Sequence, residues 1–231
     1  QDATHHYSLD VFHPRRTQMS TNMEGRTSSA SHWNGVYRMN KRESLGWFAP
    51  SLDTSLSLIQ AYSNDLDSSI LDIGGGSSSL VDDLLARGFS DLSVLDISQI
   101  ALDDTRSRLG ATADAIDLIC ADIRSPSLNL NEAMVWHDRA VFHFLWTPEE
   151  LASYRSLLLQ TLAPGGKVIL GVFSENAPPK CSGLPVNRHS LKSLLAVFGD
   201  RFTCMDWLTE IHITPGGVEQ EYLYSVWQIQ D

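Results

Sequence analysis

The chain has 231 residues, enough for one domain with a sizeable core, and its 42% hydrophobic and 19% charged content is that of a globular protein. A formal net charge of −11 with no basic stripe argues against a nucleic-acid binder that works through phosphate contacts. Three cysteines without a CxxC pair argue against a structural zinc site and suit a reducing compartment, and no apolar run nears the roughly eighteen residues of a membrane span.

Residues 1–32 are rich in Ser, Thr, His and Arg and poor in aliphatics, so a flexible arm is expected there. The expected location is cytoplasmic, with a mitochondrial targeting remnant as the alternative. Residues 33–231 are expected to form a single domain: 33–60 an N-terminal lid, 68–173 a cofactor-binding core, 174–231 an acceptor loop and a closing hairpin.

In chain order, 68–73 is a short apolar run ending in a glycine turn, the pattern of a buried parallel strand. Residues 80–87 place Leu80, Val81, Leu84 and Leu85 at helical spacing and close on Gly88. A strand over 92–98, a helix over 100–109 and a strand over 116–123 follow. Then come a strand over 133–138, a helix over 148–162 and a strand over 167–173. Alternation at this spacing predicts an α/β fold, a doubly wound, mostly parallel sheet. After 173 the pattern changes to a polar loop, a short helix over 191–198 and two alternating strands around "TPGG", a predicted antiparallel hairpin.

Gly74, Gly75 and Gly76 stand between a strand and a helix, where a backbone turns tightly and approaches a ligand closely. Asp96 ends the second strand twenty residues after Gly76, where a carboxylate can accept ribose hydroxyls. Asp122, beside Ile123, ends the third strand, where it can meet an adenine amino group. With Asp72 these carboxylates fall at successive strand ends, the side on which such sheets bind ligands; helix or turn capping is the competing role for each. No GK[ST] follows the glycines, so a P-loop is excluded. The acidic surroundings disfavour a pyrophosphate and fit S-adenosylmethionine, whose ammonium Asp72 can hold.

The segments "ILDIGGGSSSLVDDLLARG", "VLDIS", "CADI" and "LLLQTLAPGGKVIL" resemble the successive motifs of the class I S-adenosylmethionine-dependent methyltransferases. The resemblance implies that enzyme class and a Rossmann-like sheet. It implies Asp72, Gly74, Gly75 and Gly76 at the methionine part, Asp96 and Ile97 at the ribose, and Asp122 and Ile123 at the adenine. It implies S-adenosylhomocysteine as product. Upstream, "HWNGVYRMNKRESLGWFAPSLDTSLSLI" is similar to a segment shared by small bacterial members and the lysine methyltransferases of citrate synthase and elongation factor 1A, although Leu45-Gly46 departs from it. Its aromatics Trp33, Tyr37 and Trp47 are candidates to cover the cofactor and favour its sulfonium, or simply to pack on the sheet, and Tyr37 is also a candidate acceptor contact.

The most crowded stretch is "MVWHDRAVFHFL", residues 134–145. Its Asp-Arg-Ala element also resembles thiopurine S-methyltransferase. As the fourth strand it brings His137, Asp138 and Arg139 to the catalytic end of the sheet. His137 and Asp138 are candidate bases, and His137 also a cofactor contact. Arg139 is a candidate to bind an anionic acceptor or to lock Asp138 in a bidentate pair. His143 is expected on the following helix, a candidate acceptor contact whose competing role is packing. The spacing of His137, Asp138 and His143 matches no familiar metal pattern, and methyl transfer needs no metal. In the loop 178–190, Cys181, Arg188 and His189 are acceptor candidates, as is His212 in the hairpin. The expected partner is a small molecule offering S or N; a protein lysine is the alternative, and a cofactor-binding protein without catalysis a third.

Overall fold

The structure is a computed structural model and describes residues 29–230. Residues 1–28, which hold most of the expected arm, lie outside the described residues.

Ser29 caps α1 (Ala30–Met39) by accepting from the amide of His32, so the helix starts ahead of Trp33 and takes in the end of the segment expected as an arm. A 3-10 turn at Arg42–Ser44 and an extended strap lead to α2 (Asp53–Tyr62). The α/β alternation then runs as expected: β1 (Ile70–Ile73), α3 (Leu80–Ala86), β2 (Leu92–Asp96), α4 (Gln99–Leu109), β3 (Ile116–Cys120), β4 (Ala133–Arg139), α5 (Pro148–Thr161) and β5 (Leu162–Phe173). Helix α5 starts on a capping box, Thr147 with Glu150, and has Pro148 in its first turn. A two-stranded ribbon, β6 (Lys180–Cys181) with β7 (Leu184–Pro185), lies in the loop read as polar, followed by α6 (Leu191–Phe198), β8 (Phe202–Ile213) and β9 (Glu219–Ile229).

The seven-stranded sheet has the order β3-β2-β1-β4-β5-β9-β8. Strands β1 to β5 are parallel; β9 runs antiparallel to β5, and β8 antiparallel to β9, so the hairpin extends one edge and does not close a barrel. Strand β5 begins at Leu162 rather than at 167, because the Pro-Gly-Gly segment is carried within the strand, with a register shift opposite Ala133/Val135.

Side chains of a strand alternate between faces. Ile70, Val135, Ile169, Tyr224 and Val226 face one core, shared with α2, α3 and α4. Leu71, Trp136, Leu170 and Trp227 face the other, shared with α5 and α6. Trp136, with no exposed surface, is anchored by its Nε1–H donating to the Tyr154 hydroxyl at 2.8 Å. Side chains of this kind contribute about 1.5–3 kcal/mol each by burial. The same alternation sorts the crowded strand: His137 and Arg139 share the first face, and Asp138 falls on the second.

Candidate active site

The turn after β1 is tight because both neighbours need its space. A Cβ at Gly75 would overlap the Asp72 carboxylate and lie 2.7 Å from Val94 Cγ1. One at Gly76, where φ is +45°, would lie 2.6 Å from the Tyr37 hydroxyl and 2.8 Å from Asp96 Oδ2. Two adjoining crevices open here, both walled by Trp47 and Gly74. One is lined by Trp33, Tyr37, Asp96, Ile123 and Cys181; the other by Arg42, Asp72, Gly75 and Arg139.

Register places Asp72 beside His137 and Arg139 beside Gly171, which in turn pairs with Tyr224. Five side chains on this face join in one hydrogen-bonded row. Asp72 Oδ1 meets His137 Nδ1 at 2.7 Å, His137 Nε2 meets Ser55 Oγ at 2.9 Å, and Ser55 meets the Tyr224 hydroxyl at 3.2 Å. Arg139 Nε donates to that hydroxyl at 3.0 Å. One donor direction runs consistently along the whole row. Arg139 donates to Tyr224, Tyr224 to Ser55, Ser55 to His137 Nε2, and His137 Nδ1–H to Asp72. Gly171 makes the end of the row possible: a Cβ there would lie 2.9 Å from Tyr224 Cε1 and 3.4 Å from Arg139 Cγ. His137 is thus a buried orienter of Asp72, with both ring nitrogens engaged.

Asp96 is 6% exposed and accepts from the Ser98 amide at 2.7 Å; burial pushes its carboxyl up to about 7, against the pull of that amide, with Asp72 adding to the rise. Tyr37 stands over it, its phenol raised well above the usual range by burial and then by the Asp96 charge. Asp122 differs. Burial opposes its ionisation, but hydrogen bonds from Arg124, one of them 2.7 Å, outweigh that and hold it below the usual carboxylate range. Arg124 also reaches Glu150 of the α5 capping box at 3.4 Å, and it lines the crevice with Asp122, Ile97 and Ile123. The aromatics form an edge-to-face cluster: Trp33–Trp47 at 5.6 Å, Tyr37–Trp47 at 5.9 Å and Trp33–Phe144 at 5.3 Å between centroids.

Other expected residues are placed elsewhere. Asp138 does not meet the crevice. Its Oδ1 accepts from the amides of Val141 and Phe142 and its Oδ2 from the Tyr154 hydroxyl at 2.7 Å, so it fixes the turn after β4. Burial raises its carboxyl to about 6 despite those bonds. It is not locked to Arg139, because adjacent strand residues point to opposite faces. His143 sits in a 3-10 turn, Phe142–Phe144, not on a helix; Nδ1 accepts from the Phe173 amide at 3.3 Å, and burial holds the ring neutral, its pKa down to about 3. Arg188 is exposed and pins its own loop through the carbonyls of Glu175 and Ala177. His189 bonds Ser193, and His212 donates to the Gly46 carbonyl at 2.9 Å, holding the strap. Cys181 does line the crevice, but burial pushes its thiol up to about 11, so it is a neutral wall rather than a nucleophile. Among the described residues no group of three His, Cys, Asp or Glu is placed to hold a metal ion.

Residues 70–166 match the family model described as a methyltransferase domain. Over 120 residues the chain is 29% identical to EEF1A lysine methyltransferase 2 of Mus musculus. That alignment covers 48% of this chain and 49% of the relative, so the chain spans about half the length of the curated relative it matches. Among solved structures, a SAM-dependent methyltransferase from Anabaena variabilis superposes with a TM-score of 0.71 at 14% identity, covering 89% of this chain and 97% of that one. The 1,6-didemethyltoxoflavin-N1-methyltransferase of Burkholderia thailandensis, solved with its acceptor and S-adenosylhomocysteine, superposes at 0.63 with 15% identity, covering 87% and 84%. The fold is that of the class I methyltransferases. Within it, residues 70–166 are the part of the chain that is similar to a methyltransferase domain.

Proposed function

We propose that this protein transfers the methyl group of S-adenosylmethionine to a nitrogen or sulfur of a small-molecule acceptor. The observation that carries this reading is the glycine turn pressed between Asp72 and Asp96, so close that no side chain fits at Gly75 or Gly76. Such a cradle suits backbone contact with a ligand that offers an ammonium to Asp72 and ribose hydroxyls to Asp96. Ile97, Asp122 and Ile123 continue the wall on the adenine side. Bound there, the cofactor supplies an electrophilic methyl on a sulfonium.

Transfer is a direct displacement at carbon, so alignment is the main task of the chain. His137 holds Asp72 in place; Trp47 and Tyr37 cover the junction of the two crevices, shed water from it and present π faces to a cation. A thiol or amine acceptor must enter unprotonated. His137, the histidine nearest Asp72, has both ring nitrogens engaged, which favours acceptors that lose their proton to water. A protein lysine is the second reading, supported by the similarity to the mouse lysine methyltransferase.

Isothermal titration with S-adenosylmethionine and S-adenosylhomocysteine tests the cofactor; micromolar binding of both is expected, and no heat from either would sink the proposal. Labelled methyl transfer into an amine and thiol panel and into protein lysates then separates the acceptors.

A further inference from the structure

Arg139 is a cation held inside the protein with no carboxylate among the described residues in ion-pair contact, Glu210 acting on it only from further away. Nε is taken by the Tyr224 hydroxyl, Nη1 by the Trp47 carbonyl at 3.2 Å, and one face of the guanidinium lies over the Tyr222 ring, Cζ 4.3 Å from its centroid. Nη2 is buried with no hydrogen-bond partner, and so is the hydroxyl of Tyr222, the ring beneath it. Among the described residues Arg139 forms no ion pair. The row to Asp72 fixes its orientation, but Tyr224, Ser55 and His137 stand between the two charges.

A buried cation without its anion costs several kcal/mol, and orphaned buried donors are rare in native structures. Here two such donors belong to stacked neighbours, one on a guanidinium whose other sides are fixed and one on the ring beneath it. The site lies where the crevice meets the core: Arg139 lines the crevice next to Trp47, Tyr222 is buried behind it, and Cys181, on the adjoining wall, lies within electrostatic reach of both. A guanidinium held in this way suits the oxygens of a carboxylate.

We propose that Arg139 and Tyr222 bind a carboxylate of the methyl acceptor, which makes the acceptor a small organic acid carrying its nucleophilic nitrogen or sulfur at the crevice junction. This rests on the methyltransferase reading and narrows it. The same cation repels a lysine ammonium, which favours the small-molecule acceptor over the protein one. The cofactor also carries a carboxylate. Arg42 lines the same crevice with its Nε buried and unpartnered, so each of the two anions of a ternary complex has an arginine available.

The test is calorimetry on protein saturated with S-adenosylhomocysteine. The titrants are amino and thiol acids, 4-aminobenzoate and 3-mercaptopropanoate among them, each against its methyl ester. At least one acid is expected to bind about tenfold or more tighter than its ester. Arg139→Met should remove that preference, measured with S-adenosylhomocysteine kept saturating at the affinity the variant itself shows. Tyr222→Phe, which keeps the ring under the guanidinium, should weaken acid binding about three- to tenfold and serves if Arg139→Met does not fold. Acids and esters binding alike to the wild-type protein, no acid binding at all, or an acid preference that survives in Arg139→Met would each overturn the proposal. Absence of S-adenosylhomocysteine binding by the wild-type protein would instead remove the methyltransferase reading beneath it.

Discussion

Asp96 carries a conflict between stability and ligand binding on one side chain. Its carboxyl, pushed up to about 7 by burial, stands above the roughly 3.9 of an unfolded aspartate. Between about pH 4 and pH 7 the folded chain therefore keeps a proton that the unfolded chain has released. Stability falls as the pH rises through that window, and above it the cost of the buried charge is fully present. A ribose donating to the ionised carboxylate, as proposed, would offset the cost. Asp96→Asn should accordingly stabilise the cofactor-free protein by about 1–2 kcal/mol at pH 8 and by much less near pH 4.5. It should also weaken S-adenosylhomocysteine binding at least about tenfold. Thermal melts at the two pH values check this; an equal change at both would show that the charge of Asp96 is not the cause.

At the scale of elements, strand register decides which side chains can cooperate. Gly171 illustrates it, because a glycine within a strand ordinarily loses about 0.5–1 kcal/mol against alanine. Here alanine would press on Tyr224 and Arg139, so Gly171→Ala should instead destabilise by about 1–3 kcal/mol. A urea midpoint unchanged or raised would contradict the close approach. The fold itself was legible in the sequence, since the alternation of apolar runs with helical spacing and the glycine turn are local patterns, as are Asp72 and Asp96 near the ends of β1 and β2; Asp122, expected to end the third strand, lies two residues past the end of β3. The division of labour in 137–139 was legible too in principle: three consecutive strand residues cannot all face one crevice, and period-two alternation sends Asp138 away from its neighbours. Ser55, Tyr222, Tyr224 and Gly171 were not legible. Ser55 and Tyr224 are 169 residues apart and meet only because β9 lies beside β5 and α2 packs over that face. No composition or spacing rule encodes that meeting.

For the whole molecule, the segment from α1 to the start of α2 covers the ends of the parallel strands without being part of the sheet. It is tied down by scattered bonds: Ser98 to Asn34 at 2.7 Å, Ser79 to the Ala49 carbonyl, Ser51 to Asp83, His212 to the Gly46 carbonyl and Arg139 to the Trp47 carbonyl. Beyond these it is held by edge-to-face aromatic contacts that also wall the crevice. A cover of this kind opens locally at a smaller free-energy cost than the buried strands β4 and β5. A ligand lying beneath it adds contacts that exist only when it is closed, and so acts on that local opening. Hydrogen exchange should show this as a regional effect. Saturating S-adenosylhomocysteine should slow the amides of residues 33–47 by about tenfold or more, with about twofold or less change in β4 and β5 wherever those strands exchange by local fluctuation. Slowing by one common factor along the chain would mean that the ligand only stabilises the fold as a whole, and that the segment from Trp33 to Trp47 is a fixed wall rather than a cover. The aromatic cluster distinguishes the two independently: Trp47→Ala should erase the regional protection while leaving exchange in β4 and β5 as it was.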